Sequence, residues 1–225
     1  MMDILSDKHI ETWSIYNAFA MTTALIIALV SKQLSILLVV FSISIIALIF
    51  INRKKLLNTR PIFGIANTLT LVRFLIIVLS FYLISFNDTN LLFYSLSIAV
   101  ILDFFDGIAA RYFNESSFFG QYFDMEIDAF FVLIMCYFYY TYGGVSWWIL
   151  IPGALRYLFR IYTFCFPKPD VKEDKKTYAT VIAASYFIIL LIGLITSGTI
   201  QFLILLIGSL AIAVSFLIGI IQYHK

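Results

Sequence analysis

Residues 103–128 read DFFDGIAARYFNESSFFGQYFDMEID. The stretch holds four aspartates and two glutamates, in a chain that is 62% hydrophobic and only 12% charged. It is preceded by the apolar NLLFYSLSIAVIL (90–102) and followed by the apolar AFFVLIMCYFYYT (129–141). The acids therefore stand on two apolar helices joined by a short polar turn. Working outward, apolar runs of about 20 residues, the length that crosses a hydrocarbon core as helix, recur along the whole chain. Most lack the charged face that a soluble amphipathic helix carries.

The expected fold is all-α, a polytopic membrane helical bundle of about eight transmembrane helices. Their spans are 14–31, 34–51, 66–86, 90–112, 118–141, 145–166, 177–197 and 199–223. The short gaps make neighbours antiparallel, and Pro152 is expected to kink the sixth helix. The opening MMDILSDKHIETW is mixed and polar and does not read as a cleaved signal peptide. No nucleic-acid motif is present. Cys136 and Cys165 lack metal-ligand spacing and read as small core residues.

Basic residues set the expected orientation. NRKKLLNTR (52–60) and PKPDVKEDKK (167–176) each carry four, and Arg111 and Lys225 fall on the same side of an eight-helix chain. Both termini and the basic loops are expected to face the cytoplasm, in a bacterial inner (cytoplasmic) membrane. Lys168, Lys172, Lys175 and Lys176 are expected to lie near anionic headgroups. The basic linker is the best internal boundary. Residues 1–64 form a two-helix N-terminal extension, read as an anchor or partner surface. Residues 65–225 form a six-helix core that holds every intramembrane charge.

A carboxylate at membrane depth costs about 2.5–3.5 kcal/mol on insertion scales, so such residues mark functional sites. Asp103, Asp106, Gly107 and Ala110 share one face of the fourth helix, and Gly120, Asp124 and Asp128 one face of the fifth. Glu126 is offset by two positions and is expected to point away, toward headgroups, the interface or another subunit. Glu115 belongs to the turn. Four converging carboxylates cannot all stay ionised uncompensated. Either some are protonated or cations sit among them. All-oxygen donors favour Mg²⁺ or Mn²⁺; four carboxylates are enough to bridge two such ions, the arrangement of a two-metal clamp on phosphorus. At about 1.5 Å rise per residue, Arg73 and Arg156 reach a depth similar to that of Asp103 and Asp128. The picture is a polar cavity open to the cytoplasm, with Asn67 and Thr70 on its approach. Arg156 and Arg160, four apart on the sixth helix, read as contacts to an acceptor or lipid phosphate; the alternative for the deep Arg156 is a structural pairing with an aspartate. An ion- or proton-coupled transporter using intramembrane acids is the alternative; it calls for broken helices and repeat symmetry.

Asp103-x2-Asp106-Gly107-x2-Ala110-Arg111-x8-Gly120-x3-Asp124-x3-Asp128 resembles the signature of the CDP-alcohol phosphotransferase family. NTLTLVR (67–73) resembles that family's first core helix. The resemblance covers about 65–225 and implies transfer of a phosphatidyl or similar group from a CDP-diacylglycerol-type lipid to a small or lipid alcohol, with release of CMP. It implies two divalent cations on Asp103, Asp106, Asp124 and Asp128, with Asp128 as general base. It further implies CDP contacts from Asn67, Thr70, Arg73, Gly107, Ala110, Arg111 and Gly120, and a homodimer in a lipid membrane. Family branches that use glycerol phosphate or inositol phosphate often carry Lys or Arg directly after the last aspartate. Ala129 stands there instead, which leans away from both.

Overall fold

The computed structural model describes residues 2–57, 63–84, 88–113, 115, 117–167 and 177–224. Side chains of 2–7, 54, 55, 57, 110, 177, 178 and 222–224 lie outside that description, as do Lys168, Lys172, Lys175 and Lys176. Among the described residues there are eight α-helices and no strand. They are α1 (Met2–Ser31), α2 (Ser35–Leu57), α3 (Ile65–Leu83), α4 (Thr89–Tyr112), α5 (Phe118–Thr141), α6 (Leu150–Cys165), α7 (Thr177–Ile195) and α8 (Gly198–His224). Segments of α1, α2, α3, α4 and α8 are long and apolar enough to cross a membrane, and Ala179–Ile195 of α7 is a shorter apolar helix. Large apolar side chains are exposed along them, among them Ile26, Ile43, Tyr82, Phe104 and Ile207. Such a surface suits acyl chains and not water. The chain is a multi-pass integral membrane protein.

Several local details depart from the expectations. The first helix begins at Met2 and not at 14, because polar residues continue the helix beyond its apolar part. The sixth span opens with a 3₁₀ turn, Trp147–Ile149, before α6 starts at Leu150. Pro152 thus falls in the first turn of α6, where its missing N–H removes no helical bond, so it does not sit at a mid-helix kink. Cys136 is buried as expected, whereas Cys165 is exposed.

Helix α5 is the centre of the bundle; from Ile127 to Tyr139 only Asp128 and Val132 are not buried. It packs against α1, α3, α6 and α7. Phe130 stacks on Phe41 of α2, ring centroids 4.0 Å apart, and Phe74 of α3 meets Phe41 edge-on at 5.6 Å. Tyr137 Oη donates to the Ala28 carbonyl of α1 at 2.8 Å, satisfying a hydroxyl that apolar surroundings would otherwise penalise. The first two helices therefore lie against the core. Gly153 makes the α5–α6 approach close: a Cβ there would stand 3.0 Å from Leu133 Cα.

The start of α3 is fixed by unusual backbone. Phe63 and Gly64 both take positive φ, 73° and 79°. With no side chain on Gly64, the Glu115 carboxylate reaches the helix end and accepts from Ala66 N at 3.0 Å. An acid at a helix N-terminus satisfies an orphan N–H and complements the helix dipole. This contact joins the α4–α5 turn to the start of α3.

Candidate active site

Three helices bring the charged residues together. Helix α3 contributes Asn67, Thr70 and Arg73, at successive steps of three along one side. Helix α4 contributes Asp103, Asp106 and Gly107; helix α5 contributes Gly120, Asp124 and Asp128. The Arg73 side chain is buried, and its guanidinium lies among all four aspartates. Nη1 pairs with Asp103 and stands 3.6 Å from Asp106 Oδ2. Nη2 donates to Asp124 Oδ1 at 2.8 Å and stands 3.0 Å from Asp128 Oδ1. Thr70 Oγ1 lies 3.0 Å from Asp106 Oδ2, next to the most buried of the four acids.

A guanidinium suits this task because its planar fork offers several donors at once. One cation among four carboxylates still leaves excess negative charge in a poorly solvated place. One carboxylate oxygen each from Asp103, Asp106 and Asp124 lie within 4.8 Å of one another. This all-oxygen set fits a hard divalent cation.

Two cavities flank the cluster. The first, about 110 Å³, is lined by Asn67, Thr70, Asp106, Gly107, Gly120 and Asp124, with Glu115 and Ser117 at its rim. A Cβ on Gly107 would meet nothing within 4 Å, so that glycine is open cavity wall. A Cβ on Gly120 would stand 2.8 Å from Asn67 Oδ1, so the small residue there lets Asn67 lie across the cavity. The second cavity, about 240 Å³, lies between α5, α6, α7 and α8. Its wall is mostly apolar, with Val132, Ala183, Phe187 and Phe216, but Asp128 and Arg156 stand in it. Asp128 also lines a small recess shared with Arg73 and Asp103. The four aspartates thus form a partition, with Asp124 and Asp106 facing the first cavity and Asp128 facing the second.

Of the residues singled out in the sequence, the four aspartates, Asn67, Thr70, Gly107 and Gly120 come together here. Arg73 lies against the acids and not in the wall of the first cavity. Arg111 is exposed near the end of α4 and does not line it; the Ala110 side chain is outside the described residues. Arg156 and Arg160 separate. Arg156 lines the second cavity. Arg160 is half-buried away from that cavity, where Nη2 donates to the Glu11 carbonyl at 3.2 Å and the guanidinium covers the Tyr122 ring at 5.7 Å.

Glu126 does not point to headgroups or another subunit. It is buried at 1% exposure, accepts from Ser14 Oγ at 2.9 Å and Asn17 Nδ2 at 2.8 Å, and pairs with Arg156 at 3.5 Å. The helical offset from Asp124 and Asp128 does turn it away from them. What it meets on the far side is α1 and α6, a destination no local periodicity specifies. Ser14, Asn17, Glu115 and Ser117 are the other contributors that sequence reasoning passed over. Ser117 at least carried a signal, a serine just ahead of an apolar run; its Oγ accepts from Gly120 N at 3.0 Å.

Helices α4 and α5 run unbroken through the acid positions, unlike the interrupted helices a coupled transporter calls for. A family model described as CDP-alcohol phosphatidyltransferase matches residues 63–220. The match spans α3 to α8 and leaves α1 and α2 outside it. Comparison with curated proteins and with solved structures gave no match.

Proposed function

The chain belongs to the CDP-alcohol phosphatidyltransferase family, and from that premise we propose that it transfers a phosphatidyl group from a CDP-diacylglycerol-type lipid to an alcohol, releasing CMP. The observation that carries this reading is the position of Asp128. Its carboxylate belongs to the acidic cluster on one side and to the wall of the second cavity on the other. An alcohol in that cavity has a base beside it and the acidic cluster behind.

In this reading the CDP moiety occupies the first cavity. Asn67 and Thr70 orient it, and Gly107 and Gly120 leave room for close approach of the nucleotide to the helices. Divalent cations, two if all four aspartates take part, would be held by Asp103, Asp106, Asp124 and Asp128. When bound they neutralise diphosphate charge and polarise phosphoryl oxygens. Asp128 takes the proton as the acceptor oxygen attacks the lipid-linked phosphorus. A new P–O bond forms, the bond from that phosphorus to the bridging oxygen breaks, and CMP departs with that oxygen. Positioning and charge stabilisation do most of the work in such chemistry.

The second cavity receives the acceptor. Its apolar wall and Arg156 suit an alcohol that carries an anionic group, with the guanidinium meeting that group. Ala129 also lines this cavity, so a basic residue beside Asp128 is replaced here by one reaching in from α6. The reading further takes the protein as a homodimer in a bacterial cytoplasmic membrane, with termini and site on the cytoplasmic side.

The test is CMP release by the purified protein from CDP-diacylglycerol with Mg²⁺ or Mn²⁺. Acceptors should include glycerol 3-phosphate, inositol phosphate, phosphatidylglycerol, serine, inositol, choline and ethanolamine. Metal-dependent release with an anionic acceptor is the expected result. Absence of release with every acceptor overturns the proposed reaction.

A further inference from the structure

The family match begins where the N-terminal hairpin ends, yet the hairpin supplies part of the second cavity's support. The chain of contacts starts in α2. Ser44 Oγ donates to Asn17 Oδ1 at 2.7 Å, and its carbonyl accepts from Trp13 Nε1 at 3.1 Å. Asn17 is thereby held with its amide nitrogen toward Glu126 Oε2, while Ser14 holds Oε1. Ser14, Asn17 and Glu126 are all buried, at 0%, 2% and 1% exposure. A buried carboxylate without a cation or several donors is costly; this one has two neutral donors from α1 and one cation from α6.

The geometry of that cation is informative. Arg156 Nη2 lies 3.5 Å from Glu126 Oε1, beyond a good charge-assisted hydrogen bond. Among the described residues, Nε and Nη2 of Arg156 are buried and have no hydrogen-bond partner. Each Glu126 oxygen already accepts from α1, and at 3.5 Å the carboxylate attracts the guanidinium without hydrogen-bonding it. Arg156 is left anchored on one side and short of acceptors, in the wall of the cavity that also holds Asp128. A buried arginine short of hydrogen-bond acceptors is poised for a planar anion or a tetrahedral oxyanion.

We propose that Glu126, fixed by Ser14 and Asn17, is a positioning residue that aims Arg156 at the anionic group of the acceptor. Helix α1 is thereby a working part of the acceptor site. This rests on the reading of the second cavity as the acceptor site. Partners that orient metal-ligating side chains from behind typically matter about 10- to 100-fold when removed, and the lower end of that scale is expected for a partner of Arg156.

The test uses full-length protein in detergent with two readouts. The first needs no turnover: sulfate, a tetrahedral dianion, is titrated in the presence of Mg²⁺ and CMP, and binding is read from the rise in melting temperature. Wild type should be stabilised saturably. Arg156→Ala should abolish the response, and Glu126→Gln should raise the half-saturating sulfate concentration about tenfold. The second readout is steady-state kinetics with the best acceptor found in the CMP-release screen. Glu126→Gln should raise the acceptor KM about tenfold and leave the donor KM unmoved. In an Arg156→Ala background, Glu126→Gln should add nothing further, since it acts only through that arginine. Should Glu126→Gln fail to fold, Ser14→Ala removes one hydrogen bond at a distance from the cavity and should shift both readouts in the same direction, by about threefold.

A wild type whose melting temperature sulfate does not move overturns the proposal. So does a pattern in which the variants lower thermal stability but leave sulfate response and acceptor KM as in wild type, the behaviour of a purely structural pair. Lack of CMP release from every acceptor, with the sulfate response intact, rejects the proposed reaction while leaving the positioning role standing.

Discussion

Replacing Arg73 with methionine tests whether the guanidinium is the internal counter-ion of the acidic cluster. Methionine matches the apolar stem to about the Nε position but removes the charged guanidinium. The side chain is 3% exposed and faces four carboxylates, with Nη2 alone standing 2.8 Å from Asp124 and 3.0 Å from Asp128. Removing one partner of a buried ion pair typically costs about 3–5 kcal/mol, because the other charge is left uncompensated. For a chain of this size each kcal/mol moves the melting temperature by about 2–4 °C. The expected loss is therefore on the order of 6–20 °C, measured on purified protein in detergent with a chelator present. Mg²⁺ should recover a larger part of the variant's stability than it adds to wild type, because the cation then replaces positive charge that Arg73 otherwise supplies. Arg73→Lys should fall between the two, since an ammonium cannot span carboxylates on two helices as the fork does. A methionine variant melting within about 3 °C of wild type in chelator would refute the reasoning, as that is less than about 1–2 kcal/mol.

Asp128→Asn should lower kcat by at least about a hundredfold, the usual contribution of a general base, while CDP-lipid binding is largely kept; Asp106→Asn should lose both. Equal loss of binding in the two variants, by filter or fluorescence titration, removes the proposed division of roles. Gly107→Ala would meet no atom of the described residues beyond its own helix backbone within 4 Å, so melting should be unchanged or slightly higher, yet the donor KM should rise because the methyl intrudes on the first cavity. Gly120→Ala should raise the donor KM and also lower the melting temperature, since the new Cβ would lie 2.8 Å from Asn67 Oδ1 and 3.2 Å from Ser117 Oγ. Chelation should abolish CMP release, and added Mg²⁺ or Mn²⁺ should restore it; activity that survives exhaustive chelation contradicts the assignment of the aspartates as metal ligands.

Helix count and the faces of α4 and α5 were legible in the sequence because both follow from local geometry. A run of apolar residues at membrane length can satisfy its backbone only as helix, and 3.6 residues per turn places Asp103 with Asp106, and Asp124 with Asp128, whatever surrounds them. The spacing of the acids and glycines therefore carried the candidate site. Pairing between helices is another matter. In lipid nearly every face is apolar, so hydrophobic pattern does not say which face meets which. Arg73 could be placed at the right depth, but only the convergence of α3, α4 and α5 puts its guanidinium between four carboxylates. Glu126 is the clearest case. Its position on the helix turns it away from the aspartates, and that much periodicity determines. Its partners Ser14 and Asn17 lie 112 and 109 residues earlier in the chain. They become neighbours only because the N-terminal hairpin docks on α5 and α6, and a buried carboxylate there must be satisfied by whatever the docked helix presents.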